Sequence, residues 1–144
     1  AVGTTKNAAK AVRRIEKFVH KYINNKNLSV GYASALEVAQ SREGDCTEHA
    51  VLTAALCRAL GIPAKVVFGI AYVKDWLGKR DVFLPHAWVV ANVGGTWVPL
   101  DASLGSAGVG RIILASGDGD AADFFGIMNT LGNFKITKVT VKPK

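Results

Sequence analysis

Fifteen consecutive residues without a glycine or proline, from Cys46 to Leu60, constrain this chain more than any other stretch. Ala50, Val51, Leu52, Ala54, Ala55, Leu56, Ala59 and Leu60 fall on every side of a 3.6-residue helix. A helix apolar all round has to be buried by the rest of the fold. Its ends are marked. Asp45 is a good N-cap, and Glu48 three residues later has the spacing of a capping box. Gly44 allows a tight turn into the cap, and Gly61 followed by Pro63 ends the helix. The spacing therefore predicts Cys46 as the first residue of a buried helix. Unpaired N–H groups and the positive end of the macrodipole favour negative charge there. A cysteine mounted in this way can act as a nucleophile, with a backbone N–H beside it for an oxyanion. A lone cysteine behind a cap is more often a small buried hydrophobe, so the rest of the chain has to decide.

With 144 residues, 49% apolar and 20% charged, residues 1–144 are expected to form a single domain around one core. The chain starts Ala1-Val2-Gly3 without an initiator Met or a signal-peptide pattern. It reads as a piece processed from a larger protein, and its compartment is not legible. No apolar stretch approaches a membrane-spanning length. Cys46 and Cys57 are separated by about 16 Å of helical rise, too far for a disulfide, and Cys57 reads as a core residue. The net charge of +7 is uneven: Lys6, Lys10, Arg13, Arg14, Lys17, Lys21 and Lys26 face only Glu16 in the first thirty residues. An anionic partner would suit such a face, but no aromatic interleaving or nucleic-acid motif accompanies it. A solvated helix face is the simpler reading, and no nucleic-acid partner is expected.

Along the chain, Ala8, Val12, Ile15, Val19 and Tyr22 predict an amphipathic helix over residues 6–24. Ser34 and Glu37 form a second capping-box pattern, opening a short helix to about Ser41. Residues 64–73, rich in β-branched and aromatic side chains, predict a strand. Residues 74–85 read as a loop whose Trp76, Phe83 and Leu84 either line a groove or cover the core. Residues 86–93 and 96–101 predict strands joined by a Gly94-Gly95 turn. A short strand over 111–115, a helix capped by Asp120 over 120–131, and a final strand over 134–141 complete the expectation. Gly105, Gly108 and Gly110 lack the Gly-Lys-Ser/Thr of a phosphate loop. Asp118-Gly119-Asp120 lacks the ligand series of a calcium loop, so no metal site is expected.

The Gly94-Gly95 turn sets a register. Val93 pairs with Thr96, Trp88 faces Asp101, and His86 faces Ser103. His86, Trp88 and Asp101 then share one face, and the diagonal from His86 to Asp101 is about 7 Å, within side-chain reach. That is the geometry of a base and the carboxylate that holds its tautomer, with the other ring nitrogen free for a nucleophile such as Cys46. Pro99 falls opposite Val90 in a non-hydrogen-bonded pair, so its strand is expected at an edge or a bulge.

The motifs Gly44-Asp45-Cys46-Thr47-Glu48-His49-Ala50, Arg58-Ala59-Leu60-Gly61-Ile62-Pro63-Ala64, His86-Ala87-Trp88 and Trp97-Val98-Pro99-Leu100-Asp101 together resemble the bacterial transglutaminase-like superfamily. The resemblance runs in order over about residues 15–115. It implies an α+β, papain-like fold with a buried nucleophile helix packed on an antiparallel sheet. It implies Cys46 as nucleophile, His86 as base and Asp101 as orienter, without a cofactor. Members include cross-linking enzymes, peptidases, amidases and deamidases, so a protein or peptide substrate is expected but not specified. No calcium site carries over. Four further residues are candidates for substrate contact. Trp88 lies beside His86, and Trp76 lies in the 74–85 segment. Tyr32, upstream of the nucleophile, is the candidate second oxyanion donor. His49 shares a helix face with Cys46 but has no carboxylate aimed at its second nitrogen. The rival reading is a binding or scaffolding module that works through the basic N-terminal helix.

Overall fold

The signals around Cys46 are realised in the computed structural model, which describes residues 7–26, 31–131, 133–135, 137 and 138. Helix α3 (Cys46–Ala59) begins where expected. Asp45 Oδ1 accepts from the Thr47 N–H at 2.9 Å, and Glu48 Oε2 accepts from the Asp45 N–H at 3.0 Å. Gly44 (φ 141°) is required by that fold-back, because a Cβ there would lie 2.3 Å from Glu48 Cβ. At the other end Gly61 takes φ 72°, with Ile62 N–H bonding Cys57 C=O and Gly61 N–H bonding Arg58 C=O. This is a Schellman stop. Nine α3 residues are buried, as an apolar-all-round helix demands.

Helix α1 (Ala8–Tyr22) buries Val12, Ile15 and Val19 and turns its basic residues to solvent. Asn7 caps it by accepting from the Lys10 N–H at 3.1 Å. Helix α2 (Ala35–Ser41) carries the expected Ser34–Glu37 capping box. Strands β1 (Ala64–Trp76), β2 (Lys79–Val93), β3 (Thr96–Leu100) and β4 (Arg111–Gly117) form one antiparallel sheet in the order β3-β2-β1-β4. Val66 and Phe68 of β1, Ala87, Val89 and Ala91 of β2, and Leu100 of β3 pack into the core with residues of α1, α2 and α3. Helix α4 (Ala121–Met128), capped by Asp120, packs against β4, and Phe124 reaches Phe68 and Tyr32. The α+β fold with helices on an antiparallel sheet is as expected.

The β2–β3 register is the one predicted: Val93 pairs Thr96 and Val90 pairs Pro99. Pro99 sits on an edge strand, where its missing N–H interrupts no second ladder. The segment 74–85 is not a loop. Strand β1 continues to Trp76, turns through Leu77-Gly78, both at positive φ (47° and 79°), and returns as β2 from Lys79. Pro85 is accommodated within β2, paired with Ile70, at a level that β3 does not reach. The final strand expected over 134–141 is not found: Phe134, Lys135, Thr137 and Lys138 carry no regular structure, and the rest of it lies outside the described residues. Among the described residues no helix is long and apolar enough to cross a membrane.

Candidate active site

Three elements converge beside Cys46. The cysteine is partly exposed at the first position of α3. His86, on the part of β2 that pairs with Gly69 of β1, lies within hydrogen-bonding reach of it. Asp101, one residue past the end of β3, is 1% exposed and its Oδ2 accepts from His86 Nε2 at 2.8 Å. With Nε2 engaged, Nδ1 is the ring nitrogen left for Cys46. Burial works to lower the pKa of His86, but its hydrogen bonds with Asp101 and Cys46 prevail and raise it to about 9. Burial alone would raise the pKa of Asp101; the hydrogen bond and charge of His86, with help from Ser103 and Arg111, instead lower it to about 2.

Asp101 is itself held on all sides. Its Oδ1 accepts from Ser103 Oγ at 2.8 Å and from the Leu104 N–H at 3.2 Å, and its own N–H donates to Glu16 Oε1 of α1 at 2.7 Å. Arg111, the first residue of β4, donates from Nη2 to the Oδ2 that His86 uses. The same guanidinium lies 5.9 Å from the centre of the Trp88 ring, which stacks on His86 at 6.0 Å and 21°. Helix α1 pins the whole exit from β3: besides Glu16, Arg13 donates to the Pro99 carbonyl at 3.2 Å, and His20 Nδ1 contacts the Ala102 carbonyl at 2.7 Å.

Two cavities meet at Cys46 and His86, and both are also lined by Asp45 and Pro85. The smaller, about 230 Å³, runs under Phe68, Gly69, Phe124 and Ile127. Gly69 sits at a register shift in the β1–β4 ladder, where a Cβ would lie 2.0 Å from the Ile112 carbonyl oxygen and 2.9 Å from the Trp88 ring. The larger, about 440 Å³, is walled by Ala71, Val73, Trp76, Leu84 and Leu104 and has His49 in its lining.

The structure thus brings Cys46, His86 and Asp101 together and sets His49 and Trp76 in the larger cavity. Trp88 is 2% exposed, lines neither cavity and stacks on His86. Tyr32 also lines neither, and its hydroxyl donates to the Gly119 carbonyl at 2.5 Å. Arg111, Ser103 and Glu16 were not foreseen. Only Glu16 had a local signal, as a carboxylate next to Ile15 on the apolar stripe of α1.

The sequence profile of the transglutaminase-like superfamily matches residues 1–102. The chain is 33% identical over 89 residues to an uncharacterised protein of Mycobacterium leprae (strain TN), covering 56% of this chain and 32% of that one. Among solved structures it resembles that of a proposed cysteine protease from Cytophaga hutchinsonii, with a TM-score of 0.70 and 31% identity. That match covers 85% of this chain and 40% of the Cytophaga chain. The chain therefore spans well under half the length of both.

Proposed function

Because the chain belongs to the transglutaminase-like superfamily, we propose that it is a cysteine-dependent acyl-transfer enzyme acting on amide bonds of proteins or peptides. One observation carries the reading. A cysteine at a helix N-terminus stands beside a histidine whose other nitrogen is fixed by a buried carboxylate. An imidazolium next to a cysteine sulfur favours the nucleophilic thiolate, and His86 holds its proton up to about pH 9.

In this reading Cys46 Sγ attacks the amide carbonyl carbon, and the oxyanion forms against the N–H groups of the first turn of α3. His86 passes its Nδ1 proton to the leaving nitrogen as the C–N bond breaks, leaving a thioester on Cys46. Water or an acceptor amine then attacks the thioester carbon. His86 takes up its proton, the C–S bond breaks, and the acyl group leaves as an acid or a new amide. Asp101 keeps Nε2 protonated throughout and steadies the imidazolium. Arg111 and Ser103 hold that carboxylate in place. Hydrolysis and transamidation share every step but the last.

The test is incubation with a mixed peptide library and a labelled primary amine, reading cleavage, ammonia release and amine incorporation together. At least one of the three, lost in Cys46→Ala, is the expected result. None of the three in the unaltered protein refutes the proposal.

A further inference from the structure

The two cavities that meet at Cys46 and His86 lie on opposite faces of the β1–β2 pair. Ala71 and Leu84, cross-strand partners, wall the larger one; Phe68 and Ala87, also partners, wall the smaller. The step from Phe68 to Ala71, like that from Ala87 to Leu84, is three residues along an unbroken ladder. Side chains alternate along a strand, so an odd step puts the two pairs on opposite faces. Pro85 and His86, which lie between them, line both cavities. An extended peptide has the same alternation. The two residues that flank one main-chain amide send their side chains to opposite sides. A chain laid across Cys46 therefore offers one side chain to each cavity.

Both cavities are walled mainly by apolar groups. Phe124, Ile127 and Leu131 complete the smaller, and Val73, Trp76 and Leu104 the larger. The charged groups in the linings are engaged within the protein. Lys26 Nζ donates to the Ser103 carbonyl at 3.0 Å, Asp45 Oδ1 accepts from the Thr47 N–H at 2.9 Å, and His86 Nε2 donates to Asp101 at 2.8 Å. A charged substrate side chain would give up water against apolar walls. The cavities differ in room, about 440 Å³ against about 230 Å³.

We infer that the substrate is a peptide crossing Cys46 in extended form, with an apolar residue on each side of the reacting main-chain amide and the bulkier of the two in the larger cavity. The inference rests on Cys46 being the reacting group, and it narrows which amide reacts. The C–N bond that breaks belongs to the main chain. The leaving group is a peptide amine, which takes the Nδ1 proton of His86, and not the ammonia of a glutamine side chain. Water then attacks the thioester and returns a proton to His86. The C–S bond breaks, and the acyl half leaves as an acid.

Binding is measured first, by calorimetry on Cys46→Ala, which lacks the sulfur to turn a peptide over. The probes are acetyl-Ala-Phe-Val-Ala amide and acetyl-Ala-Val-Phe-Ala amide, the two orders of one bulky and one smaller apolar residue. One order should bind about tenfold more tightly than the other. Ala, Asp or Lys in place of its Phe or its Val should weaken binding about tenfold or more, because full burial of such a side chain corresponds to roughly ten- to hundredfold in affinity. Leu84 and Leu131 are half-buried and line one cavity each. On the Cys46→Ala background, Leu84→Glu should admit Lys in place of the Phe, and Leu131→Glu should admit Lys in place of the Val. Each should leave the other position unchanged. The probe series on Cys46→Ala alone decides if either double variant fails to fold. With Cys46 present, mass spectrometry should find the preferred probe cut between its Phe and its Val. Equal binding of the two orders, tighter binding of a charged side chain, or both glutamates acting on one position overturns the inference. So does release of ammonia from glutamine peptides without main-chain cleavage. The expected binding pattern without turnover of any amide removes the acyl-transfer reading and leaves the peptide site; turnover without that pattern does the reverse.

Discussion

Asp101→Asn removes the charge that holds the proton on His86 while keeping the size of the side chain. His86 has its pKa raised from an ordinary value near 6.5 to about 9 despite burial. The difference corresponds to about 3 kcal/mol of preference for the imidazolium in the folded state. Because the folded value is the higher one, this stabilisation is complete below the unfolded value and is lost as pH rises through about 9. Asp101 itself, lowered to about 2, is ionised across that window and adds no slope there. In Asp101→Asn the burial of His86 remains and only its interaction with Cys46 still opposes it, so its pKa falls. The stability gap between the two proteins should then be wide at pH 6 and narrow by at most about 3 kcal/mol by pH 10. Urea unfolding at half-unit pH steps measures the gap, and the difference cancels groups that titrate alike in both. A gap that stays constant from pH 6 to pH 10 would refute the idea that Asp101 sets the protonation of His86. If the proposed mechanism holds, turnover at pH 7 should also fall by on the order of 10²–10⁴.

Brief iodoacetamide treatment should label Cys46 well before Cys57, whose thiol is fully buried and pushed up to about 11 by that burial; peptide mass mapping reads the order, and first labelling of Cys57 counts against it. His86→Ala should abolish the trapped thioester, while His49→Ala should still form it; acid quench and mass spectrometry of each decide, and the opposite pattern reverses the two roles. Arg111→Met should lower turnover by about tenfold or more and reduce stability, because it takes a charge partner from a buried carboxylate. Turnover and urea midpoint both unchanged would remove Arg111 from the site.

The parts of the fold that were legible are those written in adjacent residues. Gly44, Asp45 and Glu48 fix the start of α3, Gly61 fixes its end, and Gly94-Gly95 fixes the register from Val93–Thr96 to Val89–Leu100. The approach of His86 to Asp101 followed from that register alone. The long β1–β2 hairpin was hidden because its turn uses Leu77 at φ 47°, a position where Asn or Gly would have been the signal. Pro85 reinforced the misreading by looking like the end of a loop. Arg111 was out of reach for a different reason. Its place beside Asp101 depends on β4 joining the sheet next to β1, a pairing that no local pattern encodes. The burial of Trp88 and the bond from the Tyr32 hydroxyl to Gly119 were likewise not written in their neighbours in sequence.

The groups that the proposed mechanism uses belong to two layers that are made at different times. Cys46 opens a helix of the first half of the chain, whereas His86 and Asp101 follow 40 and 55 residues later on the sheet, and the Glu16–Asp101 bond closes an 85-residue span between α1 and the exit of β3. Contacts so distant in the chain carry the largest loop-closure cost, which slows folding. A chain emerging from synthesis N-terminus first therefore presents its thiol before any base or carboxylate exists to serve it. If the proposed roles hold, rapid alkylation of Cys46 should set in only as the sheet docks on the helices, which makes its onset a clock for that step.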